Sequence, residues 1–91
     1  MLMIRHAIGS RLLYQTDQFA IEQKNNNWKI SLPVKKDEVQ EVLKLKEELN
    51  LFEVKENEKA WYYSSDARIE FNNGENHLII LADHKTVYPV S

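Results

Sequence analysis

Five consecutive apolar residues constrain this fold more than any other stretch of the sequence. Residues 78–82 read Leu-Ile-Ile-Leu-Ala, where a strand with one face in water would alternate apolar and polar side chains. The side chains of a strand point alternately to its two faces, so both faces of this strand need to be covered. We expect a helix on the face that carries Leu78 and Ile80. The face that carries Ile79 and Leu81 then needs the N-terminal segment, the C-terminal tail or another chain.

The segment before this run predicts its partner strand and the register between them. Residues 67–72 alternate apolar and polar side chains, and Asn73-Gly74 then separates them from the run. Asn-Gly favours a two-residue type I′ turn, because both central positions of that turn need a positive φ. A two-residue turn here predicts three cross-strand pairs: Glu70 with His77, Arg68 with Ile79, and Asp66 with Leu81.

Short segments with alternating or aromatic residues predict further strands, and one asparagine cluster predicts a turn. Asparagine tolerates the left-handed conformation of a tight turn, so the three asparagines at 25–27 indicate a hairpin. Pro33 ends the second strand of that hairpin, and Pro89 confines any last strand to a sheet edge. The predicted segments are residues 19–22, 28–32, 51–56 and 61–63, with residues 86–90 as a last short strand or a tail. Residues 2–8 alternate like a strand but also suit a short helix, and residues 11–15 are expected to continue in extended form.

One segment has the spacing of a helix instead. Asp37 provides a side-chain oxygen for the first free amides, Gln40 completes a capping box three residues later, and Asn50 is a plausible C-cap. The sequence therefore predicts an α+β fold, in which a mostly antiparallel sheet of five or six strands carries one helix, residues 38–49, on one face. A chain of 91 residues holds one such domain, residues 1–91. The apolar stripe of this helix is Val39, Val42, Leu43 and Leu49.

Charge and composition exclude several classes of function. The 14 acidic and 12 basic residues leave a net charge of −2, and the basic residues are scattered, which argues against a dedicated nucleic-acid-binding domain. The chain has no cysteine, so we expect a protein of the reducing cytoplasm without disulfides. No run approaches the roughly 20 apolar residues that cross a bilayer, so no membrane association is predicted. The size and composition of the chain resemble those of small bacterial or phage proteins.

Two sets of polar side chains are compatible with catalysis or metal binding, and neither matches a known motif. The predicted pair of Glu70 and His77 resembles an acid–base pair, but such cross-strand partners are ordinary stabilisers of sheets. Phosphate-binding loops and nucleophile motifs are absent. We therefore predict a protein that is not an enzyme and has no catalytic residue, metal or cofactor. The possible metal ligands, whose spacing fits no metal motif, are His6, His77, His84, Asp66 and Asp83.

One predicted surface favours contact with another protein. The face away from the helix combines an apolar centre with a polar edge, which is how protein interfaces are commonly built. Its candidate interface residues are Arg68, Glu70, His77, Ile79 and Leu81. The leading functional prediction is accordingly a small non-enzymatic binding or regulatory module that acts through protein contacts, with a second copy of itself or with another protein.

The alternative prediction is a single-stranded nucleic-acid-binding protein. Three consecutive aromatic residues at 61–63 are followed by a cation, and aromatic rings beside a cation can stack on bases. The predicted contact residues are Trp61, Tyr62 and Arg68. Alternation along a strand sends Trp61 and Tyr63 to one face and Tyr62 to the other, so the simplest interpretation places two of these three aromatics in the core.

Overall fold

Nine strands account for most of the structure, a computed structural model that describes residues 1–64 and 68–89. Their sequences are rich in β-branched and aromatic residues that alternate with polar ones. In chain order the elements are β1 (Leu2–His6), β2 (Leu12–Thr16), β3 (Ala20–Lys24), β4 (Asn27–Pro33), a 3₁₀ turn (Lys36–Glu38), α1 (Gln40–Lys44), β5 (Leu49–Val54), β6 (Glu58–Tyr63), β7 (Arg68–Asn72), β8 (His77–Ala82) and β9 (His84–Pro89).

The strands form two sheets in which every pairing is antiparallel. The five-stranded sheet has the order β2-β1-β5-β6-β9, and the four-stranded sheet has the order β3-β4-β8-β7. Four hairpins supply eight of the strands, because β1 pairs with β2, β3 with β4, β5 with β6, and β7 with β8. Two further pairings, of β1 with β5 and of β4 with β8, join these hairpins into sheets.

The hydrophobic core lies between the two sheets. Alternate side chains of β1, β5 and β6 face alternate side chains of β4 and β8, and the Trp28 ring meets the Tyr62 ring edge-on with centroids 6.2 Å apart. Burial of these inner faces is the main favourable contribution to folding. The buried residues are Leu2, Ile4, Ile30, Leu32, Val34, Val39, Val42, Leu51, Ala60, Tyr62, Leu78, Ile80 and Ala82.

The predicted fold class is only partly right. The mostly antiparallel sheet is confirmed, but the described residues form nine strands in two sheets with one short α-helix, so the protein is mainly β. The prediction of a single sheet failed because a helix was expected on the Leu78 and Ile80 face of β8. The second sheet covers that face instead, and its strands include the N-terminal segment as β1 and β2.

Less than half of the predicted helix at residues 38–49 is α-helical. The α-helix is Gln40–Lys44, and Leu49 and Asn50 instead begin β5, where they pair with His6 and Arg5 of β1. This pairing gives the backbone of residues 49–50 its hydrogen bonds within a sheet, and tertiary pairing of this kind overrides a helical spacing.

The start of the helical segment also differs from the prediction. Asp37 lies inside the 3₁₀ turn rather than at a helix N-cap, and the Glu38 carboxylate accepts a hydrogen bond from the Lys35 amide at 3.2 Å. Val39 and Val42 are fully buried, whereas Leu43 is only partly buried. The segment therefore anchors one end of the core through two valines rather than through a long apolar stripe.

The turn between β7 and β8 is longer than predicted, and the register changes with it. The Asn72 side-chain oxygen accepts hydrogen bonds from the amides of Gly74 and Glu75 at 3.0 and 3.2 Å, which stabilises a four-residue turn at 73–76. A shift of two residues leaves every side chain on its predicted face. The observed pairs are Arg68 with Leu81, Glu70 with Ile79, and Asn72 with His77; Asp66 lies outside the described residues.

Other strand predictions are confirmed. Asn25 has a φ of 56° in the turn between β3 and β4, and β4 ends at Pro33 as predicted. The last strand, β9, forms an edge of the five-stranded sheet, which is where Pro89 can be accommodated because it has no amide hydrogen to donate.

The position of the core predicts which truncation destabilises the protein most. Ile30 is fully buried between the sheets, so Ile30→Ala should lower the free energy of unfolding by about 2 to 5 kcal/mol. Leu43→Ala removes a partly buried side chain at the edge of the core and should have a smaller effect. Urea denaturation of both variants measures the difference, and equal losses would contradict a core centred between the sheets.

Candidate functional site

The outer face of the four-stranded sheet holds all five predicted interface residues. Leu78 and Ile80 of β8 point into the core, so Ile79 and Leu81 lie on the opposite face, where both are partly exposed. The register places Arg68 beside Leu81 and Glu70 beside Ile79 on the same face. The fifth residue, His77, shares this face at the start of β8. The structure therefore brings the predicted residues together on one surface, which we call the Ile79 face.

No described segment of the chain packs over the Ile79 face. The two covers that the sequence predicts within the chain are the N-terminal segment and the C-terminal tail. Both belong to the five-stranded sheet, as β1 and β9, and that sheet lies on the Leu78 and Ile80 side of β8. Open depressions border Ile79 and Leu81 instead, between the side chains of β4, β7 and β8.

The Ile79 face carries charges of both signs in an ordered arrangement. On β4, Lys29 lies opposite Leu81, and Arg68 lies on its other side, so the Leu81 end is flanked by cations. Glu70 lies beside Ile79, so an acidic side chain flanks the other end of the apolar pair. Glu22 of β3 lies opposite Lys29 and adds a second acid at the outer edge of this end. The surface thus has an apolar centre with two cations beside Leu81, one acid beside Ile79 and one acid at the β3 edge.

A second surface, on the outer face of the five-stranded sheet, consists of aromatic rings in contact. Trp61 and Tyr63 have centroids 4.4 Å apart, and the Tyr63 ring is nearly parallel to that of His84 at 4.7 Å. The Phe52 ring lies 6.4 Å from Trp61 on the other side. We call these four residues the aromatic row. Tyr62, which lies between two of them in sequence, points into the core instead.

Polar contacts hold the aromatic row in place. The Trp61 indole donates a hydrogen bond to the Asn50 side-chain oxygen at 3.0 Å, and the Lys59 ammonium lies 4.4 Å from the centre of the Phe52 ring. At the other end, His84 Nδ1 lies 2.6 Å from a carboxylate oxygen of Asp83. The orientation of the rings is therefore fixed by hydrogen bonds and charge as well as by stacking.

The strand residues that surround the aromatic row include cations but no acid. In the described strands, the register assigns thirteen residues to this face, the four of the row included, and none of them is an aspartate or glutamate, although the chain as a whole has 14. Asp83 directly precedes β9 and contacts His84 as described. The residues on this face are Met3, Arg5, Leu12, Gln15, Asn50, Phe52, Val54, Lys59, Trp61, Tyr63, His84, Thr86 and Tyr88.

The predicted nucleic-acid contact set is not a single surface. The side chain of Tyr62 is buried in the core at 1% exposure, and Arg68 lies on the Ile79 face, on the other sheet. Only Trp61 of that set belongs to the aromatic row. The expectation that two of the three aromatics at 61–63 are core residues is wrong, because the core takes Tyr62 alone. Sequence analysis missed Phe52 and His84. Each is a ring-bearing residue on a neighbouring strand, directly opposite Trp61 or Tyr63 and therefore on the same face of the sheet.

The polar sets considered for catalysis or metal binding are dispersed. His77 pairs with Asn72 rather than with Glu70, so the predicted acid–base pair does not form. His6 lies 2.7 Å from the Glu48 carboxylate at the end of β1, and His84 contacts Asp83 at the edge of the five-stranded sheet that β9 forms. Within residues 1–64 and 68–89, no three histidine, aspartate or glutamate side chains are grouped so that they could hold a metal ion.

Comparisons with known proteins add no further residues to these surfaces. The chain matches no family model, no curated protein and no solved structure. The helical segments in the described part of the chain are too short to cross a membrane. The candidate sites in the described residues are thus the two surfaces that the structure itself presents, the Ile79 face and the aromatic row.

The buried phenol of Tyr62 predicts a loss of stability at alkaline pH. Burial, with a smaller contribution from the Glu53 carboxylate, raises the pKa of Tyr62 from 10.0 to about 12. Between these values the unfolded chain releases a proton that the folded protein keeps, so the free energy of unfolding falls as the pH rises from about 10 to about 12. Urea unfolding over this range should show a smaller fall in Tyr62→Phe than in the wild type, and an equal fall in both proteins would contradict this role of the buried phenol.

Proposed function

We propose that this protein is a small cytoplasmic, non-enzymatic binding module that acts through protein contacts, and that the Ile79 face binds a second copy of the chain. One observation carries the proposal: Ile79 and Leu81 lie on a central strand whose outer face no described segment covers. Apolar side chains grouped on an open sheet face are typical of interaction sites. The absence of cysteine in the sequence supports the cytoplasmic location.

The charge pattern of the Ile79 face supports a second copy as the partner. In a two-fold dimer the same surface of both copies forms the contact, and the strands of one copy run in the opposite direction to those of the other. With the two-fold axis across β8 between Ile79 and Leu81, Arg68 of one copy lies over Glu70 of the other, and Lys29 lies over Ser31. A surface with both charge signs in this order is complementary to itself, so like charges need not meet.

The size of the face determines how strong this association should be. Four strands about 4.8 Å apart and about five residues long cover roughly 300 Å². A standard stable interface buries about 800 Å² on each partner. We therefore expect a dimer that is weak and concentration-dependent, and that leaves a folded monomer at low concentration.

The test compares aspartate substitutions on the two sheets. The molar mass of the wild type, measured by light scattering, should rise from monomer towards dimer as the concentration increases. Ile79→Asp should remain a folded monomer throughout, because the contact would bury a carboxylate without a partner. The matched control is Val87→Asp, which changes an exposed apolar residue of β9 on the other sheet and should dimerise as wild type does.

Two results would contradict the proposal. One is a wild-type protein that remains monomeric up to about millimolar concentration, the range where weak contacts are populated. The other is an Ile79→Asp variant that unfolds, as judged by circular dichroism, while Val87→Asp stays folded. That second result would mean that the chain covers this face itself.

A further inference from the structure

We propose that the aromatic row is a binding site for single-stranded nucleic acid, separate from the self-association site. The row lies on the outer face of the five-stranded sheet, and the Ile79 face lies on the outer face of the other sheet. The core separates the two surfaces, so occupation of one leaves the other open. This inference does not depend on dimer formation.

The contacts within the row identify where a base can stack. Trp61 has Phe52 on one side and Tyr63 on the other, and Tyr63 lies between Trp61 and His84. The faces of the Trp61 and Tyr63 rings are therefore already in contact with neighbouring rings. His84 ends the row, and its side chain is 47% exposed although its ring is stacked on Tyr63. An incoming base therefore stacks on the free side of His84 and extends the row by one ring.

The position of His84 in the sheet leaves room for that base. His84 belongs to β9, the edge strand, and β6 is its neighbour on the inner side. No further strand of the five-stranded sheet follows β9 in the described chain. Because Asp83 holds Nδ1 of His84 at 2.6 Å and Tyr63 supports the ring, the platform is ordered before any ligand binds. A preorganised site loses less side-chain entropy on binding.

The charges around the row favour a polyanion that crosses the sheet. Arg5 and Lys59 lie on this face, and the strand residues beside them include no acid in the described part. Arg5 lies near the His84 end of the strands and Lys59 near their other end, so a phosphate backbone meets both cations when it crosses the sheet obliquely between β6 and β1. Asp83 repels phosphate at the His84 end, which favours a base there and the phosphates further along the face.

Stacking on a side-chain ring requires a base without a stacked neighbour. Bases inside a duplex are stacked on both sides, whereas unpaired bases can place one face on an aromatic side chain. Stacking is tolerant of sequence because every base has such a face. The ligand is therefore single-stranded DNA or RNA, and the structure gives no reason for a strong sequence preference.

The first experiment uses the fluorescence of Trp61. The chain has two tryptophans, so Trp28→Phe leaves Trp61 as the reporter within the row. Titration with a mixed-sequence single-stranded oligonucleotide at low salt should change the Trp61 emission saturably, and the affinity should fall as salt is added. An electrophoretic mobility shift of the wild-type protein with the same oligonucleotide checks that Trp28→Phe has not altered binding.

Matched variants then locate the site. His84→Ala should weaken binding roughly tenfold, since it removes one stacking contact. Lys59→Gln should weaken binding and lower the salt dependence, whereas Lys29→Gln, at a cation on the Ile79 face, should do neither. Ile79→Asp should bind the oligonucleotide as the wild type does, which separates this site from the proposed self-association.

Several outcomes would overturn the proposal. A wild-type protein that gives neither a fluorescence change nor a mobility shift at low salt does not bind single strands. Equal affinity for His84→Ala and wild type would remove the stacking site, and equal losses for Lys59→Gln and Lys29→Gln would indicate diffuse charge attraction. Binding to duplex DNA as strong as to the single strand would also contradict stacking on the row.

Discussion

Burial of one face from each sheet is the constraint on which the rest of this structure depends. Leu78 and Ile80 of β8 lie against side chains from β1, β5 and β6, and Trp28 meets Tyr62 across the gap between the sheets. A chain this small has one core, and the inner faces of its sheets supply most of it. The two outer faces do not contribute to this core, and both candidate sites lie on them.

The two outer faces differ in a way that follows from their strands. The Ile79 face mixes cations and acids around two aliphatic side chains, an arrangement that suits a surface like itself. The other face combines conjugated rings with Arg5 and Lys59 and has no acid on its described strands, which suits a planar, negatively charged ligand. One sandwich can thus present two chemically different surfaces without a cleft or a cofactor.

The sequence predicted which face of a strand each side chain occupies, but it did not predict which strands pair with each other. Alternation correctly assigned Ile79, Leu81, Arg68 and Glu70 to one face, because side-chain direction depends only on local geometry. The register was wrong by two residues because the Asn72 side chain stabilises a wider turn, which Asn-Gly alone does not reveal. The second sheet and the short helix depend on contacts between segments distant in sequence, such as β1 with β5, and the aromatic row depends on the same pairings.

The last strand has an energetic consequence for the sheet that carries the aromatic row. No residue of β9 is buried in the core, so its attachment depends more on backbone hydrogen bonds to β6 and on the contact of His84 with Tyr63 than on core packing. Segments with little burial open at a lower free energy than the whole domain. Local opening of β9 would detach His84 while the core stayed intact, and a ligand stacked on that ring would oppose the opening. Amide exchange in β9 is thus thermodynamically linked to occupancy of the row.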